Sequence, residues 1–289
     1  MRALIFSALL LVGSAAWSQT MVASVEPLAK LLRSLYGPSV TVQTLLEANQ
    51  NPHHLALSPR QALMVQQADL VVWLGSQADP ALVPLIARRS GHSLALLSLP
   101  GVARLQGHGH DEQAHGEHAD DDHDATLNPH LWLSPRNMTL LATALAEQYP
   151  DGLAEGQPAA FDAALAEHQA RWQQALEPWA STAWLTYHHP WGYLTGPLGL
   201  AEPVVVTRQL GAGPGSQRFV ALAGQIEKEK IRCAIVEPEA RQSLLKKLCS
   251  DCRMTPLDPL GRGDTPATYV PWLDTLVDGF RQCLSGEDA

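Results

Sequence analysis

The chain has 289 residues, 46% of them hydrophobic, and a formal net charge of −9. That apolar content can fill one large or two modest cores and predicts two domains. No basic stripe is present, which excludes nucleic acid as a partner.

Met1-Arg2, an apolar run over 3–12 and small residues at Ala16 and Ser18 open the chain. They read as a secretory signal over 1–18, cut after Ser18, because the run is too short to span a bilayer. No cysteine of a lipobox precedes the cut. The mature chain is expected to be soluble, a monomer and periplasmic.

Short apolar runs then alternate with amphipathic stretches, the pattern of parallel sheets with crossover helices. Strands are predicted at 21–25, 40–45, 70–74 and 94–97, with helices at 27–36, 59–67 and 80–88. Residues 158–179 carry Phe161, Leu165, Trp172 and Leu176 at helical spacing. At 1.5 Å per residue this is a helix about 30 Å long. Beyond it, strands are predicted at 183–187, 203–207, 233–236 and 254–257, and helices at 216–230, 240–248 and 268–283. The expected fold is α/β: two lobes, each with a roughly four-stranded parallel sheet flanked by helices, joined by one long rigid helix. The predicted boundaries are 19–150 for the first lobe, 151–180 for the linker and 181–289 for the second lobe.

Residues 107–124 hold five histidines (His108, His110, His115, His118, His123) and seven acids, with no Leu, Ile, Val or aromatic residue. A segment without apolar side chains cannot bury a face, so a solvated loop is expected there. Its imidazoles are borderline ligands that suit zinc, and acid-rich linkers rarely hold histidine so densely.

Asn51-Pro52-His53 precedes Leu57-Ser58-Pro59, and Asn128-Pro129-His130 precedes Leu133-Ser134-Pro135. Each unit ends in a serine N-cap with proline at the first helical position, so a proline-stiffened loop holds one histidine near a helix start. His188 and His189 follow the strand at 183–187, at the carboxyl end where α/β folds place ligands. Adjacent strand residues point opposite ways, so one of the two is expected to reach a site. Asp258 ends the last strand similarly and reads equally as a turn or cap residue. His92, in a turn, and His168, on the long helix, read as exposed surface histidines. Glu237 ends the strand at 233–236 on the same cleft edge, where reading it as a cap before Pro238 is preferred, and Gly211 to Gly215 read as a turn into the next helix.

Cys233, Cys249, Cys252 and Cys283 make an even count, which in an oxidising compartment favours disulfides. Three pairings are open, and Cys249-Ser250-Asp251-Cys252 has a weaker redox alternative.

Asn51-Pro52-His53, the acidic histidine loop, Asn128-Pro129-His130-Leu131-Trp132-Leu133-Ser134-Pro135, Tyr187-His188-His189-Pro190-Trp191-Gly192-Tyr193 and Leu257-Asp258-Pro259-Leu260-Gly261 occur in that order. This set resembles the periplasmic zinc-binding proteins of ABC uptake transporters, the ZnuA family among the cluster A-I solute-binding proteins. The resemblance implies that His53, His130 and His188 ligate zinc and that Asp258 stands where a fourth, carboxylate ligand can sit. It implies a disulfide between Cys233 and Cys283, with a local Cys249–Cys252 bridge as a second possibility. His54 and His189 replace aspartates common in the family, leaving open which histidine of the later pair binds.

The implied function is capture of Zn2+ between the lobes and delivery to the permease of an ABC importer. The alternatives are a manganese or iron binder of the same fold and a zinc-dependent hydrolase. Manganese relatives resemble this chain but tend to carry a carboxylate where His188 stands, and three imidazoles favour zinc on ligand softness. No His-Glu-x-x-His or similar pair supplies a general base, so no enzyme activity is expected. Zinc affinity is expected to fall in acid, since only neutral imidazole binds.

Overall fold

The structure, a computed structural model, describes residues 19–48, 50, 56–107, 127–207 and 213–286. Its first sheet contains β1 (Gln19–Ala23), β2 (Val40–Thr44), β3 (Leu70–Trp73) and β4 (His92–Ala95), all parallel, in the order β2-β1-β3-β4. Between these strands run α1 (Glu26–Tyr36), α2 (Pro59–Gln67) and the single turn α3 (Val83–Ile86). The helix predicted over 80–88 is thus broken into a 3-10 turn at Pro80–Leu82 followed by α3. Pro84 has no N–H with which to continue the preceding turn.

Two helices follow, α4 (Pro135–Gln148) and α5 (Gln157–Leu176). The second sheet contains β5 (Leu185–Thr186), β6 (Val204–Val205), β7 (Cys233–Val236) and β8 (Arg253–Pro256), again parallel, in the order β6-β5-β7-β8. Its helices are α6 (Gly192–Thr195), α7 (Ser216–Lys228), α8 (Gln242–Leu248) and α9 (Tyr269–Ser285). All eight predicted strands are present. β5 and β6 are shorter than predicted, yet bonds from Val204 N to Trp184 O (2.9 Å) and Thr207 N to Tyr187 O (2.8 Å) continue their pairing. No described helix is long and apolar enough to cross a membrane.

Alternation along each strand builds three layers of core. Met21, Ala23, Leu70 and Val72 face a central cluster, while Val22, Val71 and Trp73 face an outer one with Val65 and Leu82. In the second sheet Cys233 and Ile235 join the central cluster, while Leu185, Tyr187, Ala234 and Val236 pack outward on Leu222 and Leu245. Period-two side-chain geometry imposes this split. The central cluster also takes in Leu165 and Trp172 of α5 and Trp272, Leu276 and Phe280 of α9, so one core runs under both sheets.

Hydrogen bonds lace the two halves across this core. Trp132 Nε1 donates to Pro259 O at 2.7 Å, Tyr269 Oη to Trp132 O at 2.6 Å, and the buried Lys30 Nζ to Pro266 O at 2.6 Å. The loop carrying Pro259 turns at Gly261, where φ is +59° and a Cβ would come within 2.5 Å of Trp272 Nε1. Only glycine fits both the left-handed backbone and the close approach. His168, expected on an exposed face, is tied by Nδ1 to Asp274 Oδ1 of α9 at 2.8 Å. Trp172 Nε1 donates to the same oxygen at 2.7 Å. His92 is exposed as expected, although it begins β4 and sits edge-on to Tyr149. Disulfides join Cys233 to Cys283 and Cys249 to Cys252.

Candidate metal centre

In each sheet the chain leaves one central strand toward each edge, so the crevice at the carboxyl ends lies between β1 and β3, and between β5 and β7. Such switch points are where parallel sheets bind ligands. His188 lies two residues beyond β5 and Glu237 directly follows β7, so both flank the second crevice. His130 reaches them from the segment before α4. Ser134 caps that helix by accepting from Asn137 N at 3.3 Å, with Pro135 at its first position. Ser58 caps α2 in the same way, with Gln61 completing a reciprocal capping box.

His130 and His188 are both buried, and their Nε2 atoms lie 3.4 Å apart. Two nitrogens each about 2.05 Å from one ion at a tetrahedral angle stand about 3.3–3.4 Å apart. The spacing therefore suits two ligands of one tetrahedral zinc. On the far side of each ring an oxygen faces Nδ1. Asn128 Oδ1 accepts from His130 N at 3.1 Å and lies 2.8 Å from His130 Nδ1. An amide oxygen can only accept, so that ring nitrogen donates and Nε2 carries the lone pair. Glu237 Oε1 lies 3.4 Å from His188 Nδ1.

Glu237 is not the helix cap expected from sequence. Arg241, not Glu237, stands at the N-cap of α8, and Glu237 is only 1% exposed. Its Oε1 accepts from Thr186 Oγ1 at 2.6 Å and from Trp191 Nε1 at 3.3 Å. These donors fix the carboxylate behind His188, on the side away from His130. A carboxylate behind a ligating histidine orients the ring and raises its basicity. Asn128 and Glu237 thus stand behind the two histidines, positions that sequence reasoning did not assign to them. The recurring Asn before His53 and His130 was the available signal for the first.

His189 points the other way, as alternation requires: its Nε2 lies 3.4 Å from Glu202 and its ring stands against Trp184. Asp258, two residues beyond β8, lines an open cleft with Ala48 and Gln50 of the first half and Glu239 and Arg262 of the second. Its carboxylate takes four hydrogen bonds. Oδ1 accepts from Leu260 N and Arg262 Nη2, each at 3.0 Å, and Oδ2 from Arg262 N at 2.8 Å and Arg262 Nε at 2.9 Å. His53, His54 and the five histidines His108, His110, His115, His118 and His123 lie outside the described residues. Among the described residues no group of three His, Cys, Asp or Glu side chains is assembled for a metal, and all four cysteines are in disulfides. The pair His130 and His188 is what the described residues bring together.

Away from this centre, Asp79 is almost fully buried at the end of the loop after β3, accepting from Leu74 N at 2.8 Å. Burial pushes its carboxyl up to about 6.

Comparison with known proteins adds the family. The chain is 28% identical to the high-affinity zinc uptake system protein ZnuA of Yersinia pestis over 292 residues, covering 92% of each chain. It is also 28% identical to the protein of that name in Paracoccus denitrificans, over 308 residues and 92% of each chain. A crystal structure of ZnuA superposes with a TM-score of 0.76 at 22% identity, covering 92% of this chain and 99% of the other, which establishes the shared fold. The ZnuA family model, described as zinc-uptake complex component A, periplasmic, matches residues 21–283. With that match spanning both sheets, the chain belongs to the ZnuA family of zinc-uptake solute-binding proteins.

Proposed function

We propose that the chain captures one Zn2+ in the interlobe cleft through Nε2 of His130 and His188 together with His53, and delivers it to the membrane permease of an ABC importer from the periplasm. The observation that carries this reading is the 3.4 Å spacing of the two Nε2 atoms, each ring backed by an oxygen at Nδ1. Asp258 is the remaining carboxylate candidate for a fourth place, its oxygens engaged in this structure by Leu260 N and Arg262. Zinc is the cargo here, and neutral imidazoles suit it better than they suit the harder manganese. Capture rather than hydrolysis is favoured because Glu237 stands behind His188, on the Nδ1 side, away from where a metal-bound water would sit. The ties from Trp132 and Lys30 to the 259–266 loop support uptake with little rigid-body opening.

Metal analysis of the wild type beside His53→Ala, His130→Ala and His188→Ala tests the ligand set. Wild type should retain one tightly held zinc, and each variant should lose it. Retention by all three variants would remove the proposal. The histidines of 107–124 are proposed as weak auxiliary sites that hand zinc inward. A chain lacking that segment should keep the tight zinc and lose the weaker equivalents, and unchanged total stoichiometry would dismiss the role.

A further inference from the structure

We propose that Tyr193 is a positioning residue: its hydroxyl, reaching over from the second half of the chain, is built into the backbone ladder that carries Asn128, and through Asn128 it aims the His130 ring at the metal. The inference rests on the histidine site proposed above. Gln106 and Leu127 form an antiparallel bridge, and beside it Asn128 N donates to Leu105 O at 2.9 Å. In an antiparallel ladder two residues so placed exchange both bonds, so Leu105 N would return one to Asn128 O. The Tyr193 hydroxyl occupies that rung instead. Its Oη accepts from Leu105 N at 2.8 Å and donates to Asn128 O at 3.0 Å.

The hydroxyl is held where it can do this. Tyr193 lies in α6 and is 2% exposed. Leu105 comes down closely on Gly192, where a Cβ would stand 3.2 Å from Leu105 Cδ1 and 3.3 Å from His189 Nε2. Burial raises the Tyr193 phenol above its ordinary value, so it keeps the proton that it donates. The residue whose backbone it holds is the one that faces His130. Asn128 Oδ1 accepts from His130 N at 3.1 Å and lies 2.8 Å from its Nδ1, while Asn128 Nδ2 reaches His189 O at 3.4 Å. Asn128 therefore joins the ladder, one proposed ligand and the second half of the chain. Without the hydroxyl, Leu105 N and Asn128 O either lose their partner, which is costly for buried backbone groups, or close directly on each other. Each outcome moves Asn128 against the His130 ring.

The test is a double-mutant cycle of Tyr193→Phe and Asn128→Ala. Zinc affinity is read by competition titration, and nitrogen-15 shifts of the His130 ring are read by NMR on the metal-free chains. Phenylalanine keeps the packing of the ring and removes only the hydroxyl. Each single variant should weaken zinc about tenfold, the scale of effects from residues behind metal ligands. The double variant should also lose about tenfold rather than about a hundredfold, because both changes act through one contact. Metal-free wild type should carry the His130 proton on Nδ1 alone, and both single variants should show a mixture of the two tautomers. Native zinc affinity in Tyr193→Phe, losses that multiply to about a hundredfold in the double variant, or a His130 nitrogen pattern unchanged by Tyr193→Phe would each overturn the proposal. A wild-type chain that takes up no zinc overturns the histidine site itself, and the metal-free nitrogen pattern then still judges Tyr193 separately.

Discussion

Replacing Glu237 by Gln removes one charge and almost no volume from behind the proposed ligand His188. Oε1 lies 3.4 Å from Nδ1. Adding the width of the ring and a Zn–N bond of about 2.05 Å puts the carboxylate about 7 Å from the ion. A single negative charge facing a dication at that distance is worth about 2 kcal/mol at an effective dielectric constant of about 40, midway between a protein surface and bulk water. The expected loss is therefore about 30-fold in zinc affinity, within the range known for residues behind metal ligands. Thr186 and Trp191 can still donate to the amide oxygen, so the metal-free fold should change by no more than about 1 kcal/mol. Competition titration against a chromophoric chelator measures the first quantity and urea unfolding of the metal-free chain the second. Zinc affinity within about twofold of wild type would refute the reasoning, as would an affinity loss matched by an equal loss of fold stability.

Asn128→Ala removes the acceptor at His130 Nδ1 and should weaken zinc about tenfold by the same titration. Asp79 gives a pH signature independent of metal. Its carboxyl is raised to about 6 by burial, so the folded chain holds a proton that the unfolded chain releases, and stability falls as pH rises from about 4 to about 6. Asp79→Asn should abolish that slope, leaving the variant about 3 kcal/mol more stable relative to wild type at pH 8 than at pH 4 in urea unfolding. The bridge Cys233–Cys283 closes a separation of 50 residues and Cys249–Cys252 one of 3. Replacing the first pair by alanines should cost about 4 kcal/mol and the second less than about 2 kcal/mol by loop-closure entropy, and the reverse order would contradict it.

Strands and capped helix starts were legible in the sequence because their signals are local. Apolar runs of four to six residues gave all eight strands, and the Ser-Pro pairs gave the starts of α2 and α4. The length of α4 was not legible, since its Leu and Ala residues follow one another too closely to show a clear stripe. Residues assigned by motif, His130 and His188, are the ones the fold brings together. What escaped were roles set by distant partners. Glu237 comes to stand behind His188 only when β7 pairs with β5 and carries it there, 49 positions along the chain. His168 looked exposed because α9, which supplies Asp274, lies 106 residues away in sequence. Asp258 was correctly placed at a strand end, yet the turn that folds Arg262 onto it depends on a glycine whose reason lies in Trp272 and Lys30.

Zinc-edge X-ray absorption of the chain loaded with less than one equivalent of metal reads the ligands directly. Imidazole nitrogens at about 2.0 Å, at least two of them lost together in the His130→Ala/His188→Ala double variant, are expected. A spectrum unchanged by that double substitution, or a shell of two or more carboxylate oxygens with fewer than two imidazoles, would mean that the paired histidines do not hold the ion.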